Sequence, residues 1–87
     1  MKAPLNYAIL LYFTKHKEGH ADSVIEELKP EYGKYRAFKR KGVIESLMTA
    51  TENGILEEVR TELNETDELR VWYKLTDYGK DLLEKYL

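Results

Sequence analysis

Apolar residues recur at helical spacing in the first half of the chain. Three segments carry apolar side chains three and four positions apart, and such spacing predicts helices with one buried face. The predicted buried positions are Leu5, Ala8, Ile9, Tyr12 and Phe13 in helix one, Ala21, Val24, Ile25 and Leu28 in helix two, and Val43, Leu47 and Ala50, with Ile44 and Met48 beside them, in helix three.

Pro30 is predicted to end helix two, because the residue before a proline is pushed out of helical geometry. Asn53 and Gly54 predict the end of helix three, since both tolerate the left-handed conformation that closes a helix.

The apolar period changes in the second half. Leu69, Val71, Tyr73 and Leu75 alternate with Arg70, Trp72 and Lys74, which predicts a half-buried strand. Residues 55–63 are β-rich and predict a partner strand, with a polar turn at 64–67 between the two. Thr76 is placed to cap a last helix, and Ser23 is read as a helix cap as well. The apolar side of that last helix comprises Leu82, Leu83, Tyr86 and Leu87.

This order predicts an α+β, mostly helical fold over a single domain, residues 1–87. Three helices, a two-stranded hairpin and a C-terminal helix describe a winged helix-turn-helix. In that fold helix three enters the DNA major groove and the hairpin is the wing.

Composition narrows the class of protein. With 43% hydrophobic and 34% charged residues the chain is expected to be soluble and folded. The longest apolar run, Tyr7 to Phe13, is too short for a membrane span, and no signal-peptide cleavage site follows it, so a cytoplasmic protein is expected.

The absence of cysteine excludes disulfides and thiolate metal sites. His16 and His20 are interpreted as surface residues, because no carboxylate cluster completes a metal site around them. No cofactor, no metal and no catalytic site are predicted, and the protein is not expected to be an enzyme.

Charge is distributed unevenly along the chain. Residues 1–50 hold nine basic and six acidic side chains, whereas residues 51–87 hold five basic and ten acidic ones, which gives the net charge of -2. The stretch KYRAFKRKG, Lys34 to Gly42, contains five basic side chains and no acid; it is called the basic segment below. On a winged helix it lies where helix three meets DNA, which favours phosphate contact over a merely solvated face. The side chains predicted to contact double-stranded DNA are Lys34, Arg36, Lys39, Arg40, Lys41, Ser46, Thr49 and Arg70, with Glu45 and Glu52 as further positions along helix three.

A family resemblance is carried by the stretches ILLYFTKHKEGHADSVIEEL (9–28), NGILEE (53–58) and RVWYKLTDYGKDLL (70–83), together with the spacing from Leu28 to Gly54. In order and spacing these resemble the winged-helix domain of PadR-type transcriptional regulators, within the broader MarR-like group. The resemblance implies a DNA-binding regulator, and a repressor is expected. The acidic wing, with Glu62, Glu65, Asp67 and Glu68, departs from the expected pattern, and so does a chain that stops at Leu87 without the family's longer C-terminal helix.

A homodimer is predicted, because two-fold symmetry matches palindromic half-sites on DNA. The expected dimer surface comprises surplus apolar residues of the first and last helices: Tyr7, Leu10, Leu11, Tyr86 and Leu87. One alternative stays open, since winged helices also serve as protein-interaction modules that do not bind DNA. Pairing of residues 39–41 with Glu27, Glu31 or Glu45 would favour that alternative.

Overall fold

The computed structural model describes residues 3–85, and its elements follow the predicted order. They are α1 (Leu5–Lys15), α2 (Ala21–Tyr32), α3 (Arg40–Glu52), β1 (Leu56–Leu63), β2 (Leu69–Leu75) and α4 (Asp77–Glu84). The predicted α+β winged-helix class is therefore confirmed. Within residues 3–85, every helix is too short or too polar to cross a bilayer.

The core forms where the three N-terminal helices meet the hairpin. Its most deeply buried side chains come from different elements and are at most 1% exposed: Ile9, Val24, Val43, Leu47 and Leu56. Burial of each such side chain contributes about 1.5–3 kcal/mol. Because α3 contributes Val43 and Leu47, its orientation is fixed by contacts with α1, α2 and β1.

The hairpin pairs β1 and β2 antiparallel, from Leu56 opposite Leu75 to Leu63 opposite Leu69. A bulge between Glu58 and Arg60 shifts the register. The turn is closed by Asn64, whose Oδ1 accepts from the N–H groups of Thr66 and Glu68 at 2.9 Å each. Its Asp67 has φ 61°, a left-handed conformation that aspartate tolerates better than most residues.

Gly19 ties the hairpin to the helices. Its N–H donates to Tyr73 O at 3.0 Å, and Tyr73 N–H donates to Gly19 O at 2.8 Å. The segment just before α2 therefore extends the sheet beside β2. This pairing holds the wing against the start of α2.

The prediction that Pro30 ends helix two is wrong, because α2 continues through Pro30 to Tyr32. A proline inside a helix removes one hydrogen bond and costs roughly 3 kcal/mol. Tertiary contacts offset this cost. Tyr32 is 2% exposed, its hydroxyl donates to Ala3 O, and Gly33 N–H continues the helical pattern by donating to Lys29 O at 2.9 Å.

The end of α3 and the start of α4 follow the predicted capping residues. Asn53 is the C-cap of α3, and Gly54 has φ 79°, which only a glycine adopts easily. Thr76 caps α4 by accepting from Gly79 N–H at 2.9 Å. Leu83 is buried as predicted, whereas Tyr86 and Leu87 lie outside the described residues.

Candidate nucleic-acid interface

The basic segment forms the connection from α2 into the first turn of α3. Two short turns shape it, with Tyr35 N–H donating to Tyr32 O at 2.9 Å and Phe38 N–H to Tyr35 O at 3.0 Å. Phe38 packs against the core and anchors the connection. All five basic side chains are exposed, so the structure gathers their charge at the N-terminal end of α3.

One of these five charges is paired. Arg40 Nε donates to Asp22 Oδ1 on α2 at 2.9 Å, and this hydrogen bond lowers the pKa of Asp22 and raises that of Arg40. Within residues 3–85, Lys39 and Lys41 form no ion pair. Glu27, which could have neutralised them, contacts His16 Nε2 at 2.6 Å instead.

The outward stripe of α3 lies opposite its buried face. With about 100° of rotation per residue, Lys41, Glu45, Met48 and Glu52 fall on this stripe, and all four are exposed. Thr49 is exposed beside it. The stripe thus combines one cation, two carboxylates and an apolar side chain, groups that can contact phosphates, cytosine amino groups and thymine methyl groups respectively.

Met48 is a candidate site residue that sequence reasoning missed. It was grouped beside the apolar face of helix three, but its side chain is 52% exposed. The sequence contains the information needed to place Met48. It immediately follows Leu47 and is two positions before Ala50, so helical rotation turns its side chain away from both.

Ser46 and Thr49 lie toward a different surface. The Ser46 hydroxyl donates to Asn6 Oδ1 on α1 at 2.8 Å. Both residues line a groove of about 370 Å³ between α1 and α3, to which Leu10 and Asn53 also contribute. Ser46 is therefore turned toward α1, whereas Thr49 lies between this groove and the outward stripe.

Arg70 lies on β2 and lines a cleft between the hairpin and the helices, together with Asp22 and Arg40. The basic residues on this part of the hairpin are paired with acids. The Arg70 side chain is 25% exposed, with Nη1 3.9 Å from Glu62 Oε1, and its buried Nε has no partner among residues 3–85. Arg60 pairs with Glu18 at 2.7 Å and lies 4.2 Å above the Trp72 ring. The hairpin therefore presents little unneutralised positive charge.

His20 links the hairpin to α2. Its Nδ1 accepts from Ser23 N–H at 3.3 Å, while Ser23 Oγ accepts from His20 N–H at 3.0 Å. The N-cap is therefore His20, and Ser23, which was read as a cap itself, is its partner one turn in. The His20 ring packs edge-on against Trp72 with centroids 4.6 Å apart. Burial, followed by the nearby Arg70 charge, lowers the pKa of His20.

The predicted dimer surface is only partly described. Tyr7, Leu10 and Leu11 are half-buried on α1. Tyr86 and Leu87 lie outside residues 3–85, so this surface stays a prediction. Across the described residues, no group of three or more His, Cys, Asp or Glu side chains could hold a metal ion.

Solved structures similar to this chain include regulators from two bacilli. No protein-family model and no curated protein matches the sequence. The structure is similar to Bacillus subtilis PadR solved in complex with operator DNA, with a TM-score of 0.75 and 29% identity over 94% of this chain. A PadR-like transcriptional regulator from Bacillus cereus gives a TM-score of 0.70 at 17% identity, covering 94% of this chain and 76% of its own. A protein from Thermoplasma acidophilum gives 0.70 at 22% identity, covering 94% and 79%.

These similarities confirm the resemblance inferred from the sequence. Each of them covers 94% of this chain. The chain spans 45% of the Bacillus subtilis PadR chain that it matches.

Proposed function

We propose that this PadR-like winged-helix domain is the DNA-binding part of a transcriptional regulator, with α3 placed in the major groove of double-stranded DNA. The observation that carries the proposal is the exposed basic segment at the N-terminal end of α3. It belongs to a fold similar to that of a protein solved with its operator. In helix-turn-helix proteins the N-terminal residues of the recognition helix contact base edges.

The proposed contacts divide by chemistry. Lys34, Arg36, Lys39 and Lys41 are exposed cations, and they bind phosphates and set the register of α3 on the duplex. Arg40 and the remaining residues of the outward stripe, Glu45, Met48 and Glu52, face the bases. Arg70 has a smaller part, because Glu62 offsets its charge.

The proposal also includes repression of transcription and binding to DNA as a dimer. Two copies related by two-fold symmetry bind half-sites about one helical turn apart, which multiplies the modest affinity of one helix in one groove. The protein acts in the cytoplasm and performs no chemistry of its own. Sedimentation at high micromolar concentration tests the dimer, and a monomeric mass would contradict it.

The experiment is fluorescence anisotropy of a labelled mixed-sequence duplex, titrated with protein at several salt concentrations. Wild type is expected to bind non-specifically with Kd roughly 10⁻⁴–10⁻⁶ M and to weaken steeply with salt. Replacing Lys39 and Lys41 with alanine removes two phosphate contacts. The slope of log K against log salt should therefore fall by about 2.

The matched control is Lys80→Ala with Lys85→Ala. Both lysines are exposed at or beside α4, and the variant loses the same net charge. An equal fall of the slope in both variants would show that only net charge matters. No binding at low salt by any of the proteins would contradict the proposal and favour a protein-interaction module.

A further inference from the structure

The Arg40 guanidinium is held by one hydrogen bond, which comes from its Nε. Its Nε donates to Asp22 Oδ1 at 2.9 Å, and among residues 3–85 this is its single hydrogen bond. An arginine has five N–H donors arranged as a planar fork. The contact with Asp22 therefore uses one donor and leaves both terminal amino groups available.

The position of this pair matters for recognition. Arg40 is the first residue of α3, and Asp22 lies in the first turn of α2. The pair spans the two helices of the helix-turn-helix, and its side chains are 47% and 42% exposed. Both terminal amino groups are thus displayed where a recognition helix begins.

We propose that Asp22 is a positioning residue that holds Arg40 for bidentate recognition of a guanine. Two parallel N–H donors match the O6 and N7 acceptors that guanine presents in the major groove. An arginine whose Nε is already bonded loses less side-chain entropy when its terminal amino groups bind a base. This inference rests on the proposed function, since it assigns a specificity to the same interface.

Removal of the Asp22 carboxylate is expected to have two effects on DNA binding, and these effects have opposite signs. A negative charge near the duplex repels phosphates, so its removal strengthens non-specific binding. Removal also frees the Arg40 side chain and weakens guanine discrimination. A merely structural Asp22 would instead weaken binding to every duplex when it is replaced. Glu68 on the wing is the other acid that interacts with Arg40, and it remains in place in all variants.

The test compares Asp22→Ala with Glu26→Ala, which removes the same charge from an exposed position on α2. Duplexes are first enriched from a random pool by the wild-type protein. Each guanine of the enriched sequence is then replaced singly by 7-deazaguanine, which lacks the N7 acceptor. For wild type, one guanine should be sensitive, and loss of the whole contact in Arg40→Ala should reduce discrimination by roughly 5- to 150-fold.

The prediction is that Asp22→Ala loses much of this sensitivity and binds random duplexes at least as tightly as wild type. Glu26→Ala should keep the sensitivity. In the Arg40→Ala background the Asp22 substitution should change discrimination no further, because the two residues act as one unit.

The outcomes separate the inference from the proposed function. Failure to enrich any sequence, with no binding at low salt, would contradict the function itself. Enrichment and binding with guanine sensitivity unchanged in Asp22→Ala would overturn the role of Asp22 alone. A sequence with no sensitive guanine would overturn the inference as well. Circular dichroism of each variant identifies any substitution that unfolds the domain. If Asp22→Ala unfolds it, Asp22→Leu, which is similar in shape but cannot accept from Arg40 Nε, replaces it.

Discussion

His20 stabilises the junction between wing and helices through two separable contacts. His20→Ala removes the acceptor for Ser23 N–H, an N-cap loss of about 1 kcal/mol. It also removes the edge-on contact with Trp72, worth roughly 0.5–1.5 kcal/mol. The sum, about 2 kcal/mol, should lower Tm by roughly 8–16 °C in a domain of this size. His20→Asn keeps a capping oxygen and should therefore lose only the ring contact.

The same residue predicts a dependence of stability on pH. Burial lowers the pKa of His20 in the folded protein, and its Nδ1 lone pair is used by the cap. As pH falls below about 6.5, the unfolded chain takes up a proton before the folded protein does. The stabilisation by neutral His20 is thus present above that pH and is lost as pH falls through the lower pKa of the folded state.

Urea denaturation followed by circular dichroism, from about pH 8 to pH 5, measures this effect. The free energy of unfolding of wild type should fall more steeply with acid than that of His20→Asn. His16 is present in both proteins, so the difference isolates His20. Parallel curves for the two proteins would contradict the pH-dependent role of His20, and an unchanged Tm in His20→Ala would contradict its contribution to stability.

Three further substitutions test the packing and the site. Gly79→Ala would place a Cβ 2.2 Å from the backbone oxygen of Ile55. The free energy of unfolding, measured by urea denaturation, should therefore fall by roughly 1–3 kcal/mol. An unchanged midpoint would contradict the close approach of α4 to Ile55. Leu47→Ala should cost roughly 2–5 kcal/mol, because this side chain is 1% exposed at the centre of the core. Met48→Ala should change stability by less than about 0.5 kcal/mol. The variant should nevertheless show a smaller preference for thymine over uracil in an enriched duplex, since the exposed Met48 side chain is expected to contact the thymine methyl group. An unchanged preference would remove Met48 from the interface.

The element order could be predicted because hydrophobic periodicity reports burial directly. Val43, Leu47 and Ala50 share one helical face, and the structure buries all three. The end of helix two could not be predicted in the same way. Pro30 disfavours helix locally, and the long-range burial of Tyr32 helps to offset that cost.

The candidate site likewise has features that the sequence could predict and features that it could not. The position of the basic segment follows from chain order, so it could be predicted. The partner of Arg40 could not, since Asp22 is 18 residues away and belongs to another helix. Ser46 is predicted to contact DNA from its position along helix three, and its hydrogen bond to Asn6, a residue 40 positions earlier, could not be predicted from the sequence. Pairings of this kind depend on how helices cross, which periodicity does not encode.

The proposed function requires the outward stripe of α3 to enter the DNA groove. The chain contains no cysteine, so a single introduced cysteine can carry a photo-crosslinker at one defined place. Met48→Cys puts it on the outward stripe, and Glu84→Cys puts it at an exposed position on α4. We expect crosslinking to duplex DNA from position 48 and not from position 84, with competition by unlabelled duplex. Crosslinking from position 84 and none from position 48 would contradict the account.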